Sequence, residues 1–147
     1  MAFDPENPVI ALCAAGMAAE GGPAEARVRF EEAWAARRDD YDAAIAAHYL
    51  ARHQPTLAET LHWNALAVTH FERIPDERAQ ELGASLYLNL ADSLFATGLH
   101  ADAHAALVRA AQHVQALPPD GYRQMIDQAI ARLLARISAR EDRIAAI

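Results

Sequence analysis

Lysine is missing from this chain of 147 residues. All 13 basic residues are arginine, set against 20 acids, for a formal net charge of −7. That acidic balance excludes general binding to nucleic acid or to an anionic membrane, where a basic footprint supplies the affinity. The missing lysine is read as a GC-rich codon preference. Cysteine occurs once, at Cys13, which rules out an internal disulfide and fits a reducing compartment. No run approaches the roughly 18 uninterrupted apolar residues of a membrane span. The opening MAFDPENP has neither a basic segment nor an apolar core, so it does not read as a signal peptide. The expectation is a cytoplasmic protein.

Chemical motifs are equally scarce. There is no Gly-rich phosphate loop, no Gly-x-Ser-x-Gly elbow and no cysteine cluster, the patterns that would announce phosphate handling, a serine nucleophile or a metal. Cys13 lies on an apolar stripe, where a thiol is structural rather than nucleophilic. The enzyme reading has nothing positive to rest on, and neither catalytic residues, a metal nor a cofactor is expected.

Alanine fills 36 positions and strand-like alternation is absent. Alanine is the strongest helix former and lets helix backbones approach closely, so the chain reads as all-α. Punctuation separates seven helical stretches. Asn7–Pro8 opens the first, Gly21-Gly22-Pro23 turns into the second, and Asp39 or Asp40 caps the third. Gln54–Pro55 ends that helix, and Thr56-Leu57-Ala58-Glu59 has the capping-box form for the fourth. Pro75 stops the fourth, and Asp76 is expected to cap a long fifth, to about Thr97. Gly98 leads into the sixth, Pro118-Pro119-Asp120-Gly121 is the last break, and a final helix runs to about Arg143. Short turns predict antiparallel neighbours.

One pattern is written twice, 77 residues apart. Ile10, Cys13, Ala14, Met17, Gly21, Ala26, Phe30 and Ala33 recur as Tyr87, Leu90, Ala91, Leu94, Gly98, Ala103, Leu107 and Ala110. A degenerate copy lies 34 residues after the first, through Ala44, Ala47, His48, Ala51, Pro55, Thr60, Asn64 and Ala67. A register built on Ala47, Leu50, Trp63 and Leu66 competes with it. Nine surplus residues are expected to lengthen the fourth and fifth helices around Pro75.

This helical-hairpin period, with small residues where paired helices cross, resembles the tetratricopeptide repeat in a small bacterial version. Leu90-Ala91-Asp92-Ser93-Leu94, Gly98, Ala103-His104-Ala105-Ala106-Leu107 and Ala110 carry the resemblance, with their counterparts from Ala14 to Ala33. It implies a right-handed α-solenoid in one domain over residues 1–147. The hairpins would span about 7–38, 40–74 and 76–116, and a capping helix about 120–143. No copy keeps the tryptophan early in its first helix, and the closing proline is missing or displaced.

The resemblance also implies a concave groove lined by the first helix of each hairpin, receiving a protein or peptide partner. Carried over residue by residue, it puts Ala11, Ala15 and Ala18 in the groove. Ile45, Tyr49, Arg52 and His53 follow from the third helix, and Leu88, Asn89, Asp92 and Phe95 from the fifth. Alanines in the first hairpin and the absence of lysine argue against a clamp for a chaperone's C-terminal carboxylate.

Other constellations are weaker. His100 and His104 share a helix face, but the intervening Ala-Asp-Ala lacks the glutamate a zinc protease needs. Both read as exposed helix-face residues. Trp34 and Trp63 are expected to fill the seam between hairpins. On the final helix Arg132, Arg136, Arg140 and Arg143 form a basic stripe, and Tyr122, Ile126, Ala129, Ile130, Leu133 and Ile137 form an apolar one on another face. Residues 121–147 carry +2 while the remainder carries −9. The plain reading is a docked cap with a solvated charged face; the sharper one is a second contact surface for an acidic partner or for another copy in a homodimer. The expected function is a non-catalytic scaffold or adaptor. The alternative is a peptide or small-molecule sensor regulating a partner protein, and a metal-dependent enzyme ranks last.

Overall fold

Four short polar side chains start four helices. Asn7 Oδ1 accepts from the Val9 and Ile10 amides (2.9 and 3.4 Å), with Pro8 at the first helical position. Asp39 accepts from Asp42 N and Asp120 from Arg123 N. Thr56 Oγ1 accepts from Glu59 N and donates to the Glu59 carboxylate, both at 3.1 Å. Each cap satisfies an amide that the first helical turn leaves unpaired.

The computed structural model describes residues 4–146, apart from the Arg78 side chain; the ends of the expected 1–147 span lie outside the described residues. The described residues form seven α-helices and no strand. These are α1 (Pro8–Ala18), α2 (Pro23–Ala35), α3 (Asp40–Leu50), α4 (Leu57–Phe71), α5 (Gly83–Ala96), α6 (His100–His113) and α7 (Gly121–Ala145). Single 3₁₀ turns extend α3 over Ala51–His53 and α6 over Val114–Ala116. No described helix is long and apolar enough to cross a membrane.

The surplus around Pro75 does not lengthen the helices. α4 stops at Phe71, and a 3₁₀ stretch, Glu77–Leu82, precedes α5. Proline lacks the amide a helix needs and biases Ile74 away from helical torsions, so α4 cannot continue. Asp76 accordingly does not cap a long fifth helix, which begins as α-helix only at Gly83.

The chain divides into two compact units, Met1–Ala79 and Gln80–Ile147. In the first, α1 pairs with α2 and α3 with α4, and α3 packs on both α1 and α2. In the second, α5 pairs with α6, and α7 packs on both.

The repeated residues explain the pairing. Ala26, Phe30 and Ala33 are fully buried on α2, and their counterparts Ala103, Leu107 and Ala110 are buried on α6. Of the two middle registers, the one 34 residues on puts Ala44, Ala47, Ala51, Asn64 and Ala67 in buried positions. Asn64 therefore stands where the other copies carry Phe30 and Leu107. Gly98 adopts φ +85°, a torsion open chiefly to glycine, and turns the chain from α5 to α6.

Two close fits hold the first unit. Phe30 stacks on Tyr49 (5.5 Å between ring centroids) and on His53 (6.1 Å), joining the first hairpin to the second. Gly16 makes room for it, since a Cβ there would lie 2.3 Å from Phe30 Cε1. The other fit is polar. Asp42, with 1 % of its surface exposed, accepts from Asn7 Nδ2 (2.8 Å), Arg38 Nε (2.9 Å) and the Arg38 amide (3.1 Å). Burial pushes this carboxyl upward, but the hydrogen bonds from Arg38 and Asn7 outweigh it and hold the group below its ordinary 3.8.

Gly16→Ala is expected to destabilise the protein. Overpacking against the fully buried Phe30 ring costs about 1–3 kcal/mol, partly offset by alanine's helix preference of about 1 kcal/mol. Gly21→Ala, with nothing within 4 Å of the added atom, should leave the urea midpoint near the parent's; equal midpoints for both variants would contradict this packing. Asp42→Ala strands the buried Asn7 amide, a loss of about 1–3 kcal/mol. Because the native carboxyl is lowered, the ionised group's contribution is fully present above pH 3.8 and disappears as pH falls through the native value. Urea unfolding at neutral and acidic pH should show the gap between parent and Asp42→Ala narrowing at the acidic end.

Candidate functional site

The first-unit candidates sit where α3 runs into its 3₁₀ turn, and internal partners hold them. Arg52 grips Glu20 with two parallel hydrogen bonds of 2.9 Å, and His53 Nε2 lies 2.6 Å from the same carboxylate. Partial burial pushes Glu20 upward, while the hydrogen bonds from His53 and Arg52 outweigh it and keep the group below the usual carboxylate range. Tyr49 lies between Phe30 and the edge-on ring of His48. Burial, then the neighbouring Arg52 charge, takes His48 down to about 4, so it is neutral at physiological pH.

Beside Tyr49 is an apolar pocket of about 50 Å³, lined by Ile10, Cys13, Ala14, Met17 and Ile45. It is small, well below the roughly 150 Å³ of a cavity that takes benzene. Ala11, Ala15 and Ala18 are exposed on α1 and do not line it. Burial, then the Asp42 charge, raises the Cys13 thiol to about 12, which removes it as a nucleophile.

The second unit has a larger cleft, of about 270 Å³, between α5 and α7. Leu88, Asn89 and Asp92 form one wall, and Ala129, Arg132, Leu133 and Arg136 the other. Leu88 is fixed from behind by the core cluster of Ala84, Val114, Leu117 and Ile126. The Arg136 guanidinium sits over the Phe95 ring at 4.8 Å and reaches Asp92 only at 3.8 Å. Arg132 makes no ion pair among the described residues. Phe95 packs from its own side against His100, at 4.9 Å.

The structure thus merges two groups that the sequence kept apart. Arg132 and Arg136, expected on a separate surface, share a cleft with Leu88, Asn89 and Asp92, and Phe95 lies beneath Arg136. Arg140 and Arg143 lie beyond Ile137, the last buried residue of α7, and are exposed. Tyr49, Arg52 and His53 belong to the first unit. Ala129 and Leu133, expected only on the apolar stripe of another face, line the cleft as well, each three residues before an arginine of the basic stripe.

The histidines divide by environment. His104 is exposed, as expected of a helix-face residue, but His100 is half-buried and its Nδ1 has no hydrogen-bond partner among the described residues. Among the described residues no group of three or more His, Cys, Asp or Glu could hold a metal ion. Trp34 and Trp63 meet edge to face at 5.1 Å, with Arg37 over Trp34 at 4.0 Å, which joins α2 to α4. His70, also against Trp34, pairs with Asp40 at 2.8 Å.

Compared with family models, with curated proteins and with solved structures, the chain finds no match. The chemistry of the cleft is therefore the guide. Its lining offers two cations, one carboxylate, one amide and three aliphatic groups, a set for holding a ligand rather than for activating a nucleophile.

Cys13 should resist a thiol reagent at about pH 8 in the folded protein and react at once in concentrated guanidinium. Rapid labelling of the native protein, followed by absorbance, would contradict the burial assigned to this thiol.

Proposed function

We propose that the protein is a non-catalytic binding module, a tetratricopeptide-like α-solenoid acting in the cytoplasm, that takes up a peptide segment of a partner protein. The observation that carries this reading is the α5–α7 cleft, where aliphatic residues of both helices lie beside the guanidinium groups of α7. Apolar contact with Leu88, Ala129 and Leu133 supplies affinity, and the polar rim sets register and orientation. The hairpin pairing of α1 with α2, α3 with α4 and α5 with α6 is what the repeat resemblance calls for. The small apolar pocket beside Tyr49 contributes shape to the first unit rather than a binding site, since Arg52 and His53 are committed to Glu20.

Panning displayed random peptides against the immobilised protein tests this. It should enrich a family whose affinity falls at least about tenfold on Arg132→Ala, the size of loss typical of a residue central to an interface. Arg27→Ala, which removes an exposed pair with Glu31 on α2, should leave that affinity unchanged. Failure to enrich any family, or enrichment of peptides indifferent to Arg132, would overturn the assignment.

A further inference from the structure

We propose that the α5–α7 cleft takes an acidic peptide segment, and that Asp92 holds the place of that segment's carboxylate until it arrives. This rests on the peptide-binding reading above and names the chemistry of the partner. Arg132 and Arg136 stand one helical turn apart on the same wall, where side chains four residues apart are neighbours. Together they present ten N–H donors in two planar forks matched to carboxylates, and no acceptor.

Within the described chain these donors are barely used. Arg132 makes no ion pair, and Arg136 meets Asp92 at 3.8 Å. A charge-assisted N–H···O bond closes to about 2.7–2.9 Å, so the Arg136–Asp92 contact is a loose one. Both partners are mostly exposed, 61 % and 65 % at the side chain, where such a pair is worth little and is easily exchanged. Arg136 also lies over the Phe95 ring, with its guanidinium carbon 4.8 Å from the ring centroid, an attraction that leaves its N–H donors without a close acceptor at Asp92.

The surroundings select the same partner. The segment 121–147 carries +2 against −9 for the remainder, so an acidic segment is repelled by most of the chain and drawn to α7. Arg140 and Arg143 continue the stripe past the cleft and offer further contacts to a segment with several acids. The floor of Leu88, Ala129 and Leu133 takes an aliphatic side chain of that segment. A cationic ligand would find one carboxylate there, already facing a guanidinium.

The test uses the full chain and three labelled synthetic peptides with identical apolar residues, carrying Glu, Gln or Lys at the remaining positions. Fluorescence anisotropy should show the Glu peptide bound best and weakened by added salt. Arg132→Glu should lower its affinity at least about tenfold, and Asp92→Asn should raise it about threefold or more by removing the competing carboxylate. Circular dichroism checks that both variants fold. Unchanged or weaker binding with Asp92→Asn overturns the proposal, because the ligand would then not compete with that carboxylate. Equal or better binding of the Gln or Lys peptide overturns the acidic class while leaving the peptide cleft standing. Binding of none of the three overturns the proposal, and the library panning then judges the broader reading by itself.

Discussion

Close approach of paired helices is the constraint from which both units follow. On α2, fully buried Ala26 and Ala33 flank Phe30; on α6, Ala103 and Ala110 flank Leu107. A small residue on either side of a bulky one lets the partner backbone come near while the bulky group fills the space left between. The partner helix must then be small where the bulky group lands, and Gly16 is that place for Phe30. The interior is close-packed, so these positions are coupled: enlarging one displaces the other. In the middle hairpin the bulky position is held by Asn64, a polar group that must be hydrogen-bonded where it is buried.

Polar contacts then locate the hairpins of the first unit relative to each other. α1 contains no charged residue and is apolar on all sides, so its own surface gives little directional information. Its two ends supply it instead. At the start, Asn7 caps the helix with its oxygen and donates its amide to the buried Asp42. Just past the end, Glu20 is gripped by Arg52 and His53. Helix α3 is thereby tied to α1 at both extremities, and Phe30 with Tyr49 fills the middle.

Local signals in the sequence were readable because their physics is local. The caps at Asn7, Asp39 and Thr56, the turn at Gly98 and the small–large–small spacing depend on residues within a turn or two. The all-α class and the seven helices followed from them. The stretch from Glu72 to Leu82 was not readable, since a surplus can lengthen helices or form a connector at similar cost and only Pro75 biases the choice. The commitment of Arg52 was also hidden, because Glu20 lies 32 residues away and no periodicity links them. The same holds for the meeting of Asp92 with Arg136. Helical spacing shows which residues share a face of α7 but not which helix that face will meet.

Helix α7 is a helix of two halves. From Tyr122 to Ile137 its apolar stripe is packed against the rest of its unit, but from Ser138 to Ala146 every residue is exposed, including Ile144 at 54 %. Only the helix's own hydrogen bonds and residue preferences order those last turns, with no buried surface to offset the lost chain entropy. Local opening there requires no disruption of the core, so the helix has a gradient of stability along its length. Arg132 and Arg136 are carried by the anchored half and Arg140 and Arg143 by the other. The same basic stripe is therefore rigid at one end and compliant at the other.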